Sequence, residues 1–129
     1  MEIEIFTLCD FAQEYQRKMV IVGTFDTINA KEFPCVHPNC SIATRIRFDE
    51  KEFGEHKFKI TLINDKNENV ISPLEGEMQI KKTNSGTFSA VNMVISLNQL
   101  KFDKPGRYSI ELYIDETWKT GLPLILQKQ

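Results

Sequence analysis

Two of the chain's three cysteines and one of its two histidines fall within eight residues, FPCVHPNC at 33–40. Thiolate sulfur and imidazole nitrogen are the ligands of tetrahedral zinc, and Cys9 completes a Cys3His set with Cys35, His37 and Cys40. The residue types suit the metal, but the spacing does not. Structural zinc takes its thiolates in tight pairs from short knuckles, and Cys9 stands alone and remote. A nucleophilic site would use Cys35 or Cys40, with His37 as base and Asp26 or Asp10 to orient it. In extended chain Cys35 and His37 share a face roughly 7 Å apart. No helix N-terminus follows either cysteine to favour its thiolate. The expected state of Cys9 is therefore a small buried hydrophobe.

Other residues have a structural task in view. His37 precedes Pro38, which biases it to extended backbone. There it is expected to pin a neighbouring loop, with Asp26 of GTFDTI in reach. Phe33 and Pro34 belong to the same junction. Asp10 and Asp26 could pair for acid–base work, but each stands beside a chain break, where aspartate ordinarily caps a turn. For contact with a partner the candidates are Trp118, in the polar stretch DETWKT, with Tyr113 on the outward side of the preceding strand. Arg45 and Arg47 could join Lys57, Lys59 and Lys81 in a basic stripe across two adjacent strands; the plainer expectation is a solvated face balanced by acidic neighbours.

The elements that position these residues alternate with period two. ATRIRF sets Thr44, Ile46 and Phe48 against Arg45 and Arg47. HKFKITLIN sets Phe58, Ile60 and Leu62 against Lys57, Lys59 and Thr61. RYSIELYID sets Tyr108, Ile110, Leu112 and Ile114 against Arg107, Ser109, Glu111 and Tyr113. One wet face and one dry face means antiparallel strands over a core. NDKNEN (64–69), TNSG (83–86) and DKPG (103–106) read as turns, and DETWKTG (115–121) as the last connection. Pro123 lacks an N–H and so marks an edge, a strand start or a bulge.

Strands are expected over about 2–8, 18–25, 40–49, 56–64, 69–73, 76–82, 87–98, 106–115 and 121–127. Asp10, with Gln13 three residues on, suggests a capping box and at most one short helix near residues 10–18. The expected fold is all-β: an immunoglobulin-like sandwich of two antiparallel sheets with about eight or nine strands. Tyr108, two residues after Gly106, fits a tyrosine corner whose hydroxyl reaches backbone near Phe102 or Asp103.

Composition bounds the rest. The chain has 129 residues, 41% of them hydrophobic and 26% charged, which suits a single domain over 1–129. A net charge of −2 gives no pull toward nucleic acid or anionic membrane. MEIEIFTLCD lacks the basic and apolar regions of a signal peptide, and an odd cysteine count speaks against a disulfide framework. The expectation is a cytoplasmic protein with reduced thiols.

Several motifs recur in a family of small bacterial proteins known only as a domain of unknown function. They are CDFAQ (9–13), VIVGTFDTI (20–28), FPCVHPNC (33–40), RIRF (45–48) and PLEG (73–76). The chain resembles that family through Cys9 and Asp10, through Gly23, Phe25 and Asp26, and through Phe33, Pro34 and His37. Cys35 and Cys40 are less characteristic of it than His37. The resemblance spans about 80 residues and implies an immunoglobulin-like sandwich with no established activity. No cofactor is implied. The leading expectation is a non-catalytic binding or assembly module, with a protein partner or a second copy of itself. The alternatives are a metal protein or enzyme using Cys9, Cys35, His37 and Cys40, or a structural subunit of a larger assembly.

Overall fold

The computed structural model describes residues 1–82 and 86–129; most of the turn expected at 83–86 lies outside the described residues. The strands are β1 (Glu2–Tyr15), β2 (Lys18–Thr24), β3 (Thr27–Ala30), β4 (Cys35–Asp49), β5 (Gly54–Ile63), β6 (Leu74–Ile80), β7 (Phe88–Phe102), β8 (Gly106–Ile114) and β9 (Thr117–Lys128). They form a four-stranded sheet in the order β2-β1-β4-β7 and a five-stranded sheet in the order β3-β9-β8-β5-β6. The chain is a β-sandwich, as the alternation requires.

The inward residues of each strand meet in one core. Leu8, Ile42, Ile46 and Phe48 come from the four-stranded sheet. Ile60, Leu62, Ile110, Leu112, Ile114, Leu124 and Leu126 come from the other. Each fully buried aliphatic or aromatic side chain contributes about 1.5–3 kcal/mol of transfer free energy, so this interior outweighs any single polar contact. Tyr108 enters it edge-on to Phe102, with ring centroids 5.0 Å apart. Its hydroxyl donates to the carbonyl of Lys104 at 2.7 Å, one residue beyond the region expected for a tyrosine corner.

Several expectations need correction. The segment near 10–18 is not helical. Phe11, Gln13 and Tyr15 pair with Val22, Val20 and Lys18 as β1 runs on into a hairpin. Asp10 caps nothing there: its carboxylate lies where a Cβ on Gly23 would point, 2.6 Å away, and Gly23 has φ +70°. A side chain at 23 would be strained by that φ and would have to push the Asp10 carboxylate aside. Residues 69–73 hold only an isolated bridge between Ile63 and Asn69. β4 begins at Cys35, so most of the octet is strand and not the hinge before one. The connection expected at 115–121 is a two-residue turn, Asp115–Glu116, both at positive φ.

One pairing is parallel, β3 against β9, so the five-stranded sheet is mixed. Pro123 shows why this is tolerated. The Ile125 N–H reaches across to the carbonyl of Asp26. Two residues back, Pro123 puts its missing N–H on the same side, beyond the point where the β3 ladder begins. The expected edge, strand start or bulge is not what the structure has: β9 lies between β3 and β8 and Pro123 falls within it, tolerated because the β3 ladder begins only at Ile125.

Removing the Tyr108 hydroxyl tests the corner. Tyr108→Phe should lower the urea-unfolding free energy by about 1 kcal/mol, the net worth of one hydrogen bond, with an unchanged far-UV spectrum.

Candidate functional site

The octet does not assemble chemistry. Cys40 faces the core between the sheets. Cys9 lies in a separate apolar cluster with Ala12 and Ala43, its thiol donating to the Ser41 carbonyl at 3.4 Å. Cys35 is half-buried against the core edge. Among the described residues no three His, Cys, Asp or Glu side chains are placed to hold a metal ion. Burial raises all three thiols, Cys40 to about 11; Asp10 adds repulsion at Cys9 and Cys40, against a hydrogen bond to Cys9 from the Phe11 backbone. They are thiols, not nucleophilic thiolates, at neutral pH.

His37 does meet the 20–28 loop, but through Phe25: the rings sit 5.6 Å apart. Its Nε2 is buried without a hydrogen-bond partner among the described residues. Asp26 works elsewhere. Its carboxylate accepts from the Thr27 hydroxyl at 2.9 Å, and its carbonyl holds β9. Phe33 packs on the core, and a cis peptide bond joins it to Pro34.

The partner-contact candidates divide between the two sheets. Tyr113 and Trp118 are cross-strand neighbours on the outer face of the five-stranded sheet, so Trp118 sits within β9 and not on a loop tip. Its indole N–H donates to Glu111 at 2.6 Å. Gly121 makes room for that carboxylate, since a Cβ there would collide with it. The Lys59 ammonium lies 4.4 Å above the Tyr113 ring. Arg45 and Arg47 belong to the other sheet from Lys57 and Lys59, so the alternative of one basic stripe across adjacent strands does not form. A bulge between Ile3 and Ile5 brings Glu4 to both guanidinium groups, at 3.0 and 3.4 Å. Arg47 also lies 6.0 Å from the Phe88 ring centroid.

The surface that stands out lies elsewhere, on the β1–β2 hairpin. Past Cys9, β1 parts from β4 and the β1–β2 hairpin turns back over the outer face of the four-stranded sheet. Ala12, Met19 and Ile21 settle on Cys9, Ala43 and Val94. The Asn92 side chain ties the tip down: it donates to the Arg17 carbonyl at 3.0 Å and accepts from Arg45 at 2.9 Å. The opposite face of the hairpin carries Phe11, Tyr15, Val20 and Val22, exposed by 51, 59, 43 and 52%. Phe11 pairs with Val22, Val20 with Gln13 and Tyr15 with Lys18, all on one face, and β2 is the edge of its sheet. Four large apolar side chains on one outward face are unusual for a solvent-facing edge. Gln16 and Arg17, at φ 50° and 64°, make a tight primed turn without the glycine or asparagine that would announce it. The readable signal was the alternation of Phe11, Gln13 and Tyr15 with Val20 and Val22.

One polar cluster is built at the other sheet. His56 Nδ1 meets the Asp115 carboxylate at 2.6 Å, and Nε2 meets the Glu52 carbonyl at 2.5 Å. The ring stacks 4.8 Å from Phe48. Both partners are acceptors, so the imidazolium fits best. Burial works against that charge, but the Glu52 carbonyl and the Asp115 carboxylate outweigh it and the pKa is raised. Asp115 feels the converse: burial pushes it up, and the Lys57 N–H and His56 together bring it below its usual value. The cluster locks the 115–116 turn to β5.

The arrangement defines a small β-sandwich whose most distinctive surface is an apolar edge hairpin. The chain belongs to DUF6941, a family of unknown function, which matches residues 4–127. No match was found among curated proteins or among solved structures. Among the described residues no helix is long and apolar enough to cross a membrane.

The His56 cluster gives a signed pH dependence. A raised histidine pKa stabilises fully below the unfolded value of 6.5 and loses that stabilisation as pH climbs through the folded value. A lowered Asp115 stabilises above its unfolded value of 3.8 and loses this as pH falls through the folded one. The cluster's contribution should therefore be greatest between these ordinary values and decline above the upper one. Urea midpoints compared for wild type and His56→Gln should converge as pH rises from 6 toward 9.

Proposed function

We propose that the protein is a non-catalytic binding or assembly module whose partner is a protein, engaged through the outward face of the β1–β2 hairpin. The observation that carries this is the ladder of Phe11, Tyr15, Val20 and Val22, held outward by the packing of the hairpin's other face. Interfaces draw their energy from such aromatic and aliphatic anchors, with polar groups at the rim; here Lys18 stands at the tip end of the ladder and Gln13 lies within it, opposite Val20. The three thiols are unpaired, which supports a reducing, cytoplasmic setting. The Tyr108 corner supports the immunoglobulin-like class, which commonly presents edges and loops to partners. Tyr113 and Trp118 offer a smaller second surface, and both already have intramolecular partners.

The test is affinity capture from native cells with tagged wild type and with a Phe11→Ser/Val22→Lys variant. Both positions are about half exposed, so stability should shift by no more than about 1 kcal/mol. The reading expects a reproducible protein partner with wild type and its loss with the folded variant. Equal recovery by both proteins contradicts it.

A further inference from the structure

Apart from the hairpin face, we infer that the free edge of β7 is a second docking site, which takes an extended acidic peptide segment as a further strand of the four-stranded sheet. Two observations coincide there: an unguarded strand edge, and a cleft lined by positive charge that the chain itself does not balance.

β7 is the outermost strand of its sheet. It pairs with β4 in one unbroken register and makes no backbone hydrogen bond on its other side among the described residues. From Phe88 to Asn98 it carries no charge and no proline. Edge strands are ordinarily guarded by charge, proline, a bulge or short length. Thus β3 spans only Thr27–Ala30, and the edge strand β6 carries Glu75 and Glu77; the first half of β7 has none of these guards.

A cleft of about 550 Å³ runs along that half of the strand. It touches Ala90 and Asn92, which share one face of the sheet, and Ser89 and Val91, which share the other. The backbone edge between the two faces therefore opens into the cleft. Arg17, Lys81 and Lys82 line it as well, against the single carboxylate of Glu14. None of these four forms an ion pair among the described residues, whereas Arg45, also in the lining, is held by Glu4. Three unbalanced cations in one cleft contrast with a chain whose net charge is −2.

Charge complementarity selects the occupant. The N–H and C=O groups of a strand edge are matched by another extended backbone, and the cations beside them by carboxylates. A free phosphate or a lone carboxylate would leave the edge unpaired. The β7 strand of a second copy has no carboxylate from Phe88 to Phe102 and would add only Lys101.

Nuclear magnetic resonance titration of the isotope-labelled full chain tests this. The probe is a capped decapeptide of alternating valine and glutamate, added up to about 1 mM. The amides of Ser89–Asn92 should shift and exchange their hydrogens more slowly, with Kd of about 1 mM or tighter. Lys81→Glu/Lys82→Glu, at two exposed positions, should weaken binding about fivefold or more, and a valine–lysine peptide should not bind. The valine–glutamate peptide with every amide N-methylated keeps its charges but cannot donate into the ladder, and should not bind either. Absence of β7 shifts with the first peptide overturns the inference. So does equal binding by the N-methylated peptide or by the glutamate variant, or the same β7 shifts with inorganic phosphate, because the cleft would then not be reading an acidic strand.

Discussion

The structure depends on a patch where the outer face of a sheet is built from very small side chains. Cys9, Ser41 and Ala43 lie side by side on β1 and β4, all buried. Outer faces of sandwiches are ordinarily polar and wet. Here the chain removes bulk at the position where the β1–β2 hairpin turns back, and Ala12, Met19 and Ile21 occupy the space. A larger residue at 43 would have to push the Met19 and Ile21 side chains away. The fold-back also fixes which hairpin face is dry. Because cross-strand partners share a face, burying Ala12 and Ile21 forces Phe11 and Val22 outward.

Around that patch the polar contacts act as fasteners and not as drivers. Asn92 bridges Arg45 of the sheet to the backbone of Arg17 at the hairpin tip. Glu4, re-aimed by a bulge, holds Arg45 and Arg47. Exposed pairs of this kind contribute about 1 kcal/mol or less each, whereas the interior between the sheets supplies many times that. Their value is positional: they fix where the hairpin rests and keep the two arginines occupied. The same logic holds on the other sheet, where His56 and Asp115 fasten a turn and Glu111 steadies Trp118.

Much of this was legible in the residues. Strict alternation in 44–48, 58–62 and 108–114 identified inward faces that the structure buries, and Tyr108 was placed by the Gly106 turn before it. What escaped notice had weak local signals. The Gln16–Arg17 and Asp115–Glu116 turns hold positive φ without glycine or asparagine, so one strand pair was read as a short helix and another as a long loop. β3 spans only Thr27–Ala30, and its parallel pairing depends on where β9 lies, which no local pattern encodes. The metal-like octet misled because ligand types are visible in a sequence and their facing directions are not. Cys9 and Cys40 enter different apolar clusters on opposite faces of one sheet. A clue to the third layer was present in CSIA: a strand with apolar or small residues on both faces asks what covers the second one.

The account stands on the hairpin lying over Ala43 with its Met19 and Ile21 side inward. Methyl-resolved nuclear Overhauser spectra measure this directly. Cross-peaks from the Ala43 methyl to the Ile21 and Met19 methyls are the predicted result, with none to Val20 or Val22. Cross-peaks from Ala43 to Val20 and Val22 instead, or to neither pair, would contradict the account, because the apolar ladder would then be buried or the hairpin detached.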